Sequence, residues 1–134
     1  MPIAGFDHAA MPTADCERLI AFYKAIGFHI NDEERWRKGE APIFSVQVGR
    51  NNKINIHPPN KKGHLRGKGA AVGCGDFCFV WDGTVEDILA TLKKAGVTPV
   101  DGPVKRVGGR GKEGTSVYIY DPDGNLLEFM VYPS

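Results

Sequence analysis

The 134-residue chain has little cysteine, no long apolar run and no excess of either charge. Its three cysteines (Cys16, Cys74, Cys78) are odd in number and lack a C-x-x-C spacing, which argues against both a disulfide framework and a cysteine zinc site. No stretch approaches the ~18 apolar residues of a membrane span, and no n-region, h-region and cleavage site open the chain. Seventeen Lys and Arg stand against sixteen Asp and Glu, a formal net charge of +1, without the basic excess of a nucleic-acid binder. The expectation is a soluble, cytoplasmic protein that engages neither nucleic acid nor membrane and buries its core without covalent staples.

Turn formers are plentiful. The 17 Gly and 9 Pro cluster in two stretches, 58–75 and 102–114, both carrying Lys and Arg. The first stretch separates two segments that read alike. In the first segment, a strand-like run from Gly5 to Met11 precedes a cap at Thr13 or Asp15. The apolar stripe Leu19, Phe22, Tyr23, Ile26 follows, and Gly27 stops the helix. Phe28 to Glu34, Ile43 to Val48 and Lys53 to His57 then read as strands. The second segment repeats this order. A strand from Asp76 to Trp81 leads to a turn at Gly83-Thr84, the stripe Val85, Ile88, Leu89, Leu92 and a stop at Gly96; strands follow at Val97 to Val104, Thr115 to Tyr120 and Leu126 to Tyr132. The spacing predicts an α+β fold: one domain, 1–134, of two βαβββ modules forming a cupped mixed sheet with helices outside. Module one covers about 3–58, the linker about 59–75 and module two about 76–133.

Alternation along the strands sorts their faces. Ile54 and Ile56 alternate with Lys53, Asn55 and His57; Leu127, Phe129 and Val131 alternate with Glu128; Phe77, Phe79 and Trp81 alternate with Asp76 and Cys78. Each module thus carries a ligand-type residue in its first strand (His8, Asp76) and another in its last (His57, Glu128), at spacings of 49 and 52 residues. Related by an approximate two-fold axis, the four groups would converge. Two imidazoles and two carboxylates suit a borderline divalent metal (Zn, Ni, Co, Mn or Fe) with positions open to substrate. Taken singly, each has a plainer reading: strand histidines are commonly hydrogen-bonded, Asp76 suits a turn, and a Lys or Arg partner would account for Glu128.

These residues resemble the vicinal oxygen chelate superfamily, which includes glyoxalase I, bleomycin-resistance proteins and extradiol dioxygenases. The matching pieces are Asp7-His8, Phe22-Tyr23 before Gly27-Phe28, Ile54-Asn-Ile-His57, Asp76-Phe-Cys-Phe79 and, most specifically, Tyr120-Asp-Pro-Asp-Gly-Asn-Leu-Leu-Glu-Phe129. The resemblance places metal ligands at His8, His57, Asp76 and Glu128. His57 stands where glyoxalase I-like enzymes carry Glu, and Asp76 where His is usual. Asp76 breaks the three-residue set of the iron dioxygenases and of fosfomycin-type enzymes, and leaves a glyoxalase-like shell of two His and two carboxylates.

The function implied is that of a metal-dependent lyase or isomerase. Vicinal substrate oxygens would be chelated, the oxyanion stabilised, and a proton shuttled by Glu128 as the catalytic group. The alternatives are an extradiol dioxygenase-like or fosfomycin-type enzyme, or a non-catalytic, drug-sequestering protein. Ser45, Gln47, Ser116, Tyr118 and Tyr120 alternate so as to line a cavity, with Ser116 and Tyr118 as substrate contacts. The basic stretches 61–68 and 105–112 suit capture of a small anionic or oxygenated molecule, with Arg110 and Lys112 as its contacts. Gly109 to Gly114 matches G-x-G-x-x-G but precedes a strand, so it reads as a loop. Trp36 falls at a turn, as a cavity lid or a surface contact. A homodimer is expected because open sheet edges need cover; the modules pair within one chain or exchange across it.

Overall fold

The computed structural model describes residues 2–60 and 65–134, so Lys61, Lys62 and His64 of the first basic stretch lie outside the described residues. The chain divides into two compact units, Met1–Cys74 and Gly75–Ser134.

In the first unit, Asp15 is extended (φ −150°, ψ 104°) and its carboxylate accepts from the Arg18 amide at 3.0 Å, which starts α1 (Cys16–Ala25). Gly27, at φ 106°, takes the chain off the helix through a conformation that a side chain would resist. Leu19, Ile20, Tyr23 and Ile26 are buried, so Ile20 joins the expected stripe while Phe22 is only half-buried and stacks edge-on against Tyr23. The sheet runs β1 (His8–Pro12), β4 (Asn52–His57), β3 (Phe44–Val48), β2 (Ile30–Asn31), with β1 and β4 parallel and the other pairs antiparallel.

One expectation fails here. The strand predicted over Phe28 to Glu34 is only two residues long, because Asp32 turns left-handed (φ 62°) and a short helix, α2 (Glu33–Arg37), follows. Charge pairing supports that turn. Arg37 bonds Glu33 at 2.9 Å and Glu17 at 2.7 Å, and Lys24, followed by Arg37, holds the Glu33 carboxyl below the usual carboxylate range. Trp36 therefore sits in a helix and not in a turn. Its ring packs against Phe44 (4.9 Å between centroids) and lines a pocket of about 410 Å³ with Cys16, Pro42 and Pro58.

The second unit repeats the strand order as β5 (Asp76–Val80), β8 (Leu126–Val131), β7 (Glu113–Tyr120), β6 (Asp101–Val107), again with the first and last strands parallel. Its helix, α3 (Val85–Lys94), opens with a reciprocal cap: Thr84 Oγ1 accepts from the Asp87 amide and Asp87 Oδ2 from the Thr84 amide. Ile88 and Leu92 are buried from the helix side, and Val117, Ile119, Leu127 and Phe129 from the sheet. β6 begins four residues later than the expected start at Val97, and its pairing with β7 shifts register within it, between Asp101 and Val104. Gly102 sits at that shift because a Cβ there would strike the Ser116 carbonyl. Gly109 to Lys112 form the turn between β6 and β7, as expected, while Glu113 and Gly114 of the glycine-rich motif already belong to β7.

The Asp121-to-Asn125 turn ties three strands together. Asp121 Oδ1 accepts from the amides of Asp123 (3.0 Å) and Asn125 (2.9 Å). The wholly buried Asn125 donates to Asp121 Oδ2 at 2.8 Å and accepts from the Gly75 amide at 2.7 Å, which fixes the entry to β5. Replacing Asn125 by Ala leaves a Gly75 amide and an Asp121 oxygen without these partners, at a cost of about 2–4 kcal/mol. The urea midpoint of Asn125→Ala is expected to fall accordingly with an unchanged denaturant slope, measured by circular dichroism.

Candidate functional site in the second unit

Leu127 and Phe129 are buried towards the helix, so Glu128 between them must face the other way. The ladder then decides its neighbours. Glu128 pairs with Cys78 of β5 on one side and with Tyr118 of β7 on the other. A half-buried carboxylate in mid-strand needs donors, and it has them. The fully buried Ser116 hydroxyl donates to Oε2 at 2.6 Å, a charge-assisted length. Among the described residues no Lys or Arg forms an ion pair with Glu128, so hydroxyls rather than a cation support it.

Its neighbours feel the charge. Burial raises the Tyr118 phenol above its ordinary range; Glu128 raises it further, while Arg106, whose Nε donates to the phenol oxygen at 3.1 Å, opposes the shift. The phenol therefore keeps its proton beside the carboxylate. The Cys78 thiol is pushed up to about 12, first by desolvation, then by Glu128, and least by Asp76. At neutral pH it is a protonated thiol and a poor nucleophile. A cavity of about 390 Å³ opens on this face, lined by Cys78, Glu128, Met130, Tyr132, Gly108 and Arg110 among others.

The remaining expected contacts fall as follows. Arg110 lies at the cavity, its guanidinium carbon 4.5 Å from the centroid of the Tyr132 ring. The Lys112 side chain is exposed, and its carbonyl closes the hairpin by accepting from the Gly108 amide at 3.2 Å. Tyr120 is exposed at the strand end, and Asp76 is exposed at the start of β5, two residues before the position opposite Glu128.

In the first unit the register separates the two histidines. His8 pairs with Lys53 and His57 with Pro12, so His57 lies four residues further along, roughly 13 Å at strand spacing. The residue that stands to His8 as Glu128 stands to Asp76 is Asn55, two positions past the cross-strand partner in each case. Asn55 Oδ1 is buried and lacks a hydrogen-bond partner among the described residues. Its cross-strand neighbour Ser45 accepts from Asn31, which also donates to Gln47 at 2.8 Å. His8 Nδ1 meets Asp7 Oδ1 at 2.8 Å, leaving Nε2 as its outward nitrogen. Among the described residues no three His, Cys, Asp or Glu side chains gather as a metal-ligating group.

Nothing in the linear pattern marks Asn55, Arg106 and Tyr132 for this chemistry. Alternation puts Asn55 on the same face as His57, but a neutral amide carries little weight beside a histidine two residues away. The contacts of Arg106 and Tyr132 arise from pairing across strands, for which a linear pattern has no signal.

Removing the charge of Glu128 should release the Cys78 thiol. In Glu128→Gln, alkylation of Cys78 by iodoacetamide near pH 8.5, relative to Cys74, is expected to rise about tenfold, one unit of thiol acidity. Peptide mass mapping reads both sites, and an unchanged Cys78:Cys74 ratio would contradict the electrostatic coupling.

A family model for the Glyoxalase/Bleomycin resistance protein/Dioxygenase superfamily matches residues 5–129. The chain is 35% identical over 133 residues to the Virulence protein STM3117 of Salmonella typhimurium, covering 98% of this chain and 87% of that protein. An integron cassette protein from V. cholerae superposes with a TM-score of 0.87 at 32% identity, covering 99% of this chain and 98% of that one. Lactoylglutathione lyase from Agrobacterium tumefaciens, at 21% identity and a TM-score of 0.69 over 98% and 96% of the two chains, shares the fold. With its two repeated units and a family match along nearly its whole length, the chain belongs to the Glyoxalase/Bleomycin resistance protein/Dioxygenase superfamily.

Proposed function

We propose that the protein is a small-molecule enzyme of glyoxalase type, a lyase or isomerase in which Glu128 moves a proton between adjacent carbons of an oxygenated substrate. The observation that carries this reading is the state of Glu128. It is a carboxylate on a cavity wall, supported through one oxygen by Ser116, without a neutralising cation among the described residues. Its other oxygen is the candidate base. It would take the proton from a hydroxyl-bearing carbon next to a carbonyl and return it to the former carbonyl carbon, while the hydroxyl proton passes to the former carbonyl oxygen, an isomerisation with no co-reactant. Ser116 orients the carboxylate, and the protonated Tyr118, itself held by Arg106, keeps the site supplied with a neutral donor.

The superfamily typically uses divalent metals. The donors present here suit one in kind. His8 is oriented through Nδ1 by Asp7, an arrangement that favours ligation by the other nitrogen, and Asn55 offers an oxygen with no hydrogen-bond partner among the described residues. Each unit offers donors of its own: His8 and Asn55 in the first, Asp76 and Glu128 in the second. A bound divalent cation would supply Lewis-acid stabilisation to negative charge developing on the substrate oxygens. His57, the other histidine of the first unit, lies four positions further along the register from His8.

The metal proposal is tested by elemental analysis after stripping with chelator and reloading. His8→Ala and Glu128→Gln are expected to lower bound metal at least tenfold, and His57→Ala to leave it within twofold; an equal loss in His57→Ala as well would restore the four-residue set read from the sequence.

Catalysis is tested by deuterium exchange in D2O with small α-hydroxy ketones and with thiol adducts of 2-oxoaldehydes, followed by NMR. Glu128→Gln is expected to slow exchange about 10²–10⁴-fold, the usual worth of a positioned proton-transfer group. Wild-type protein that binds these molecules yet exchanges no faster than buffer would overturn the enzyme reading and leave a sequestering protein in its place. A homodimer is also proposed, since β1, β2, β5 and β6 end their sheets; light scattering is expected to give twice the chain mass.

A further inference from the structure

The cations of the β6–β7 hairpin are not equivalent. Lys105 Nζ donates to Thr115 Oγ1 at 3.0 Å. Arg106 is occupied three times over, by the Tyr118 phenol (3.1 Å), the Lys105 carbonyl (2.9 Å) and, at 3.8 Å, the Asp101 carboxylate. Arg110 has no carboxylate partner among the described residues; a ring holds it, with the guanidinium carbon 4.5 Å from the Tyr132 centroid. An aromatic face fixes a guanidinium in place but consumes none of its N–H donors, which point outward in the plane of the group. Such a cation is positioned and still able to bind an anion through two parallel hydrogen bonds.

The hairpin is shaped to bring that group to the cavity. A Cβ on Gly108 would strike the Tyr132 hydroxyl and come within 2.7 Å of Met130 Sδ, so the chain lies directly on the Met130 and Tyr132 side chains. Gly111, at φ 69°, then donates back to the Gly108 carbonyl at 2.9 Å and turns the tip tightly. Arg110, Tyr132 and Glu128 line one cavity. Tyr132, one residue past the end of β8, stands four residues beyond Glu128 in the chain, on the order of 13 Å at extended spacing.

We infer that Arg110, braced on Tyr132, is the specificity determinant for the far end of the substrate. It binds a terminal carboxylate or phosphonate several bonds removed from the carbon that Glu128 attacks. The placement of the reacting carbon rests on the proton-transfer reading above; the anion subsite does not. A volume of about 390 Å³ admits such a molecule, at the small end of ligand cavities. The separation disfavours acids whose charge lies on the atom next to the reacting one.

The test uses hexanoate, pentylphosphonate, propionate and the neutral hexanamide as probes. Binding is followed by NMR titration of the Arg110 Nε–H signal and of the backbone amides on β8. Hexanoate or pentylphosphonate is expected to bind at least tenfold more tightly than hexanamide, and more tightly than propionate; the better of the two names the head group. Arg110→Gln should abolish the preference for the anion over hexanamide, and Arg110→Lys, which keeps the charge but loses the fork, should restore it in part. Equal affinity for hexanoate and hexanamide in the wild type, or undiminished preference in Arg110→Gln, would overturn the inference. Glu128→Gln, which removes proton transfer, is expected to keep the preference. Anion selectivity with no deuterium exchange would therefore refute the enzyme reading alone, and exchange without anion selectivity would refute this inference alone.

Discussion

The parallel pairing of the first strand of each unit with its last is the constraint on which the rest depends. Parallel neighbours cannot be joined by a tight turn, so a whole helix-and-hairpin excursion intervenes between β1 and β4 and again between β5 and β8. That excursion covers one sheet face with a helix and leaves the other to polar side chains. It also sets the register that places Cys78 against Glu128 and puts Asn55, rather than His57, in the matching relation to His8. The buried Asn125 secures this pairing in the second unit by joining the β7–β8 turn to Gly75 at the mouth of β5. One amide thus links the most specific sequence motif to the geometry of the cavity wall.

The two polar faces differ in kind although their topologies agree. In the first unit the face is mostly neutral, with Asn31, Ser45 and Gln47 joined by hydrogen bonds and the Asn55 oxygen left over. In the second a carboxylate sits among hydroxyl and thiol groups, with Arg106 bonded to the neighbouring Tyr118 phenol. That difference is electrostatic in effect. A direct arginine contact would neutralise the charge, whereas the Ser116 hydroxyl satisfies one oxygen of Glu128 and leaves the charge on the cavity wall. Burial first, and then the same negative charge, keep the Cys78 thiol protonated.

Much was legible in the linear pattern because the forces that make it are local. Helix starts at Asp15 and Thr84, stops at Gly27 and Gly96, and the alternation about Glu128 each depend on residues within one turn or one strand. Where local cues conflicted, the reading slipped. The residues from Phe28 to Glu34 have strand-like character, but a left-handed Asp32 and the pairing of Glu33 with Arg37 and Lys24 draw the chain into a helical turn. The Lys24–Glu33 and Arg37–Glu17 pairs join α1 to α2 across intervals with no sequence periodicity.

The sequence by itself determined the repeated order of elements, the family, and the set of polar residues turned away from the helices, because side-chain alternation and turn chemistry follow directly from residue identity. Only the tertiary structure decided which members of that set are neighbours. Register is a property of two strands together: it depends on how far each connection reaches before the strands zip, and a shift of two residues exchanges Asn55 for His57 without altering which face either one occupies. The partners of Glu128 are of the same kind. Ser116, Tyr118 and Cys78 lie 12, 10 and 50 positions from it in the chain, and it is the pairing of β8 with β7 and β5 that makes them one site.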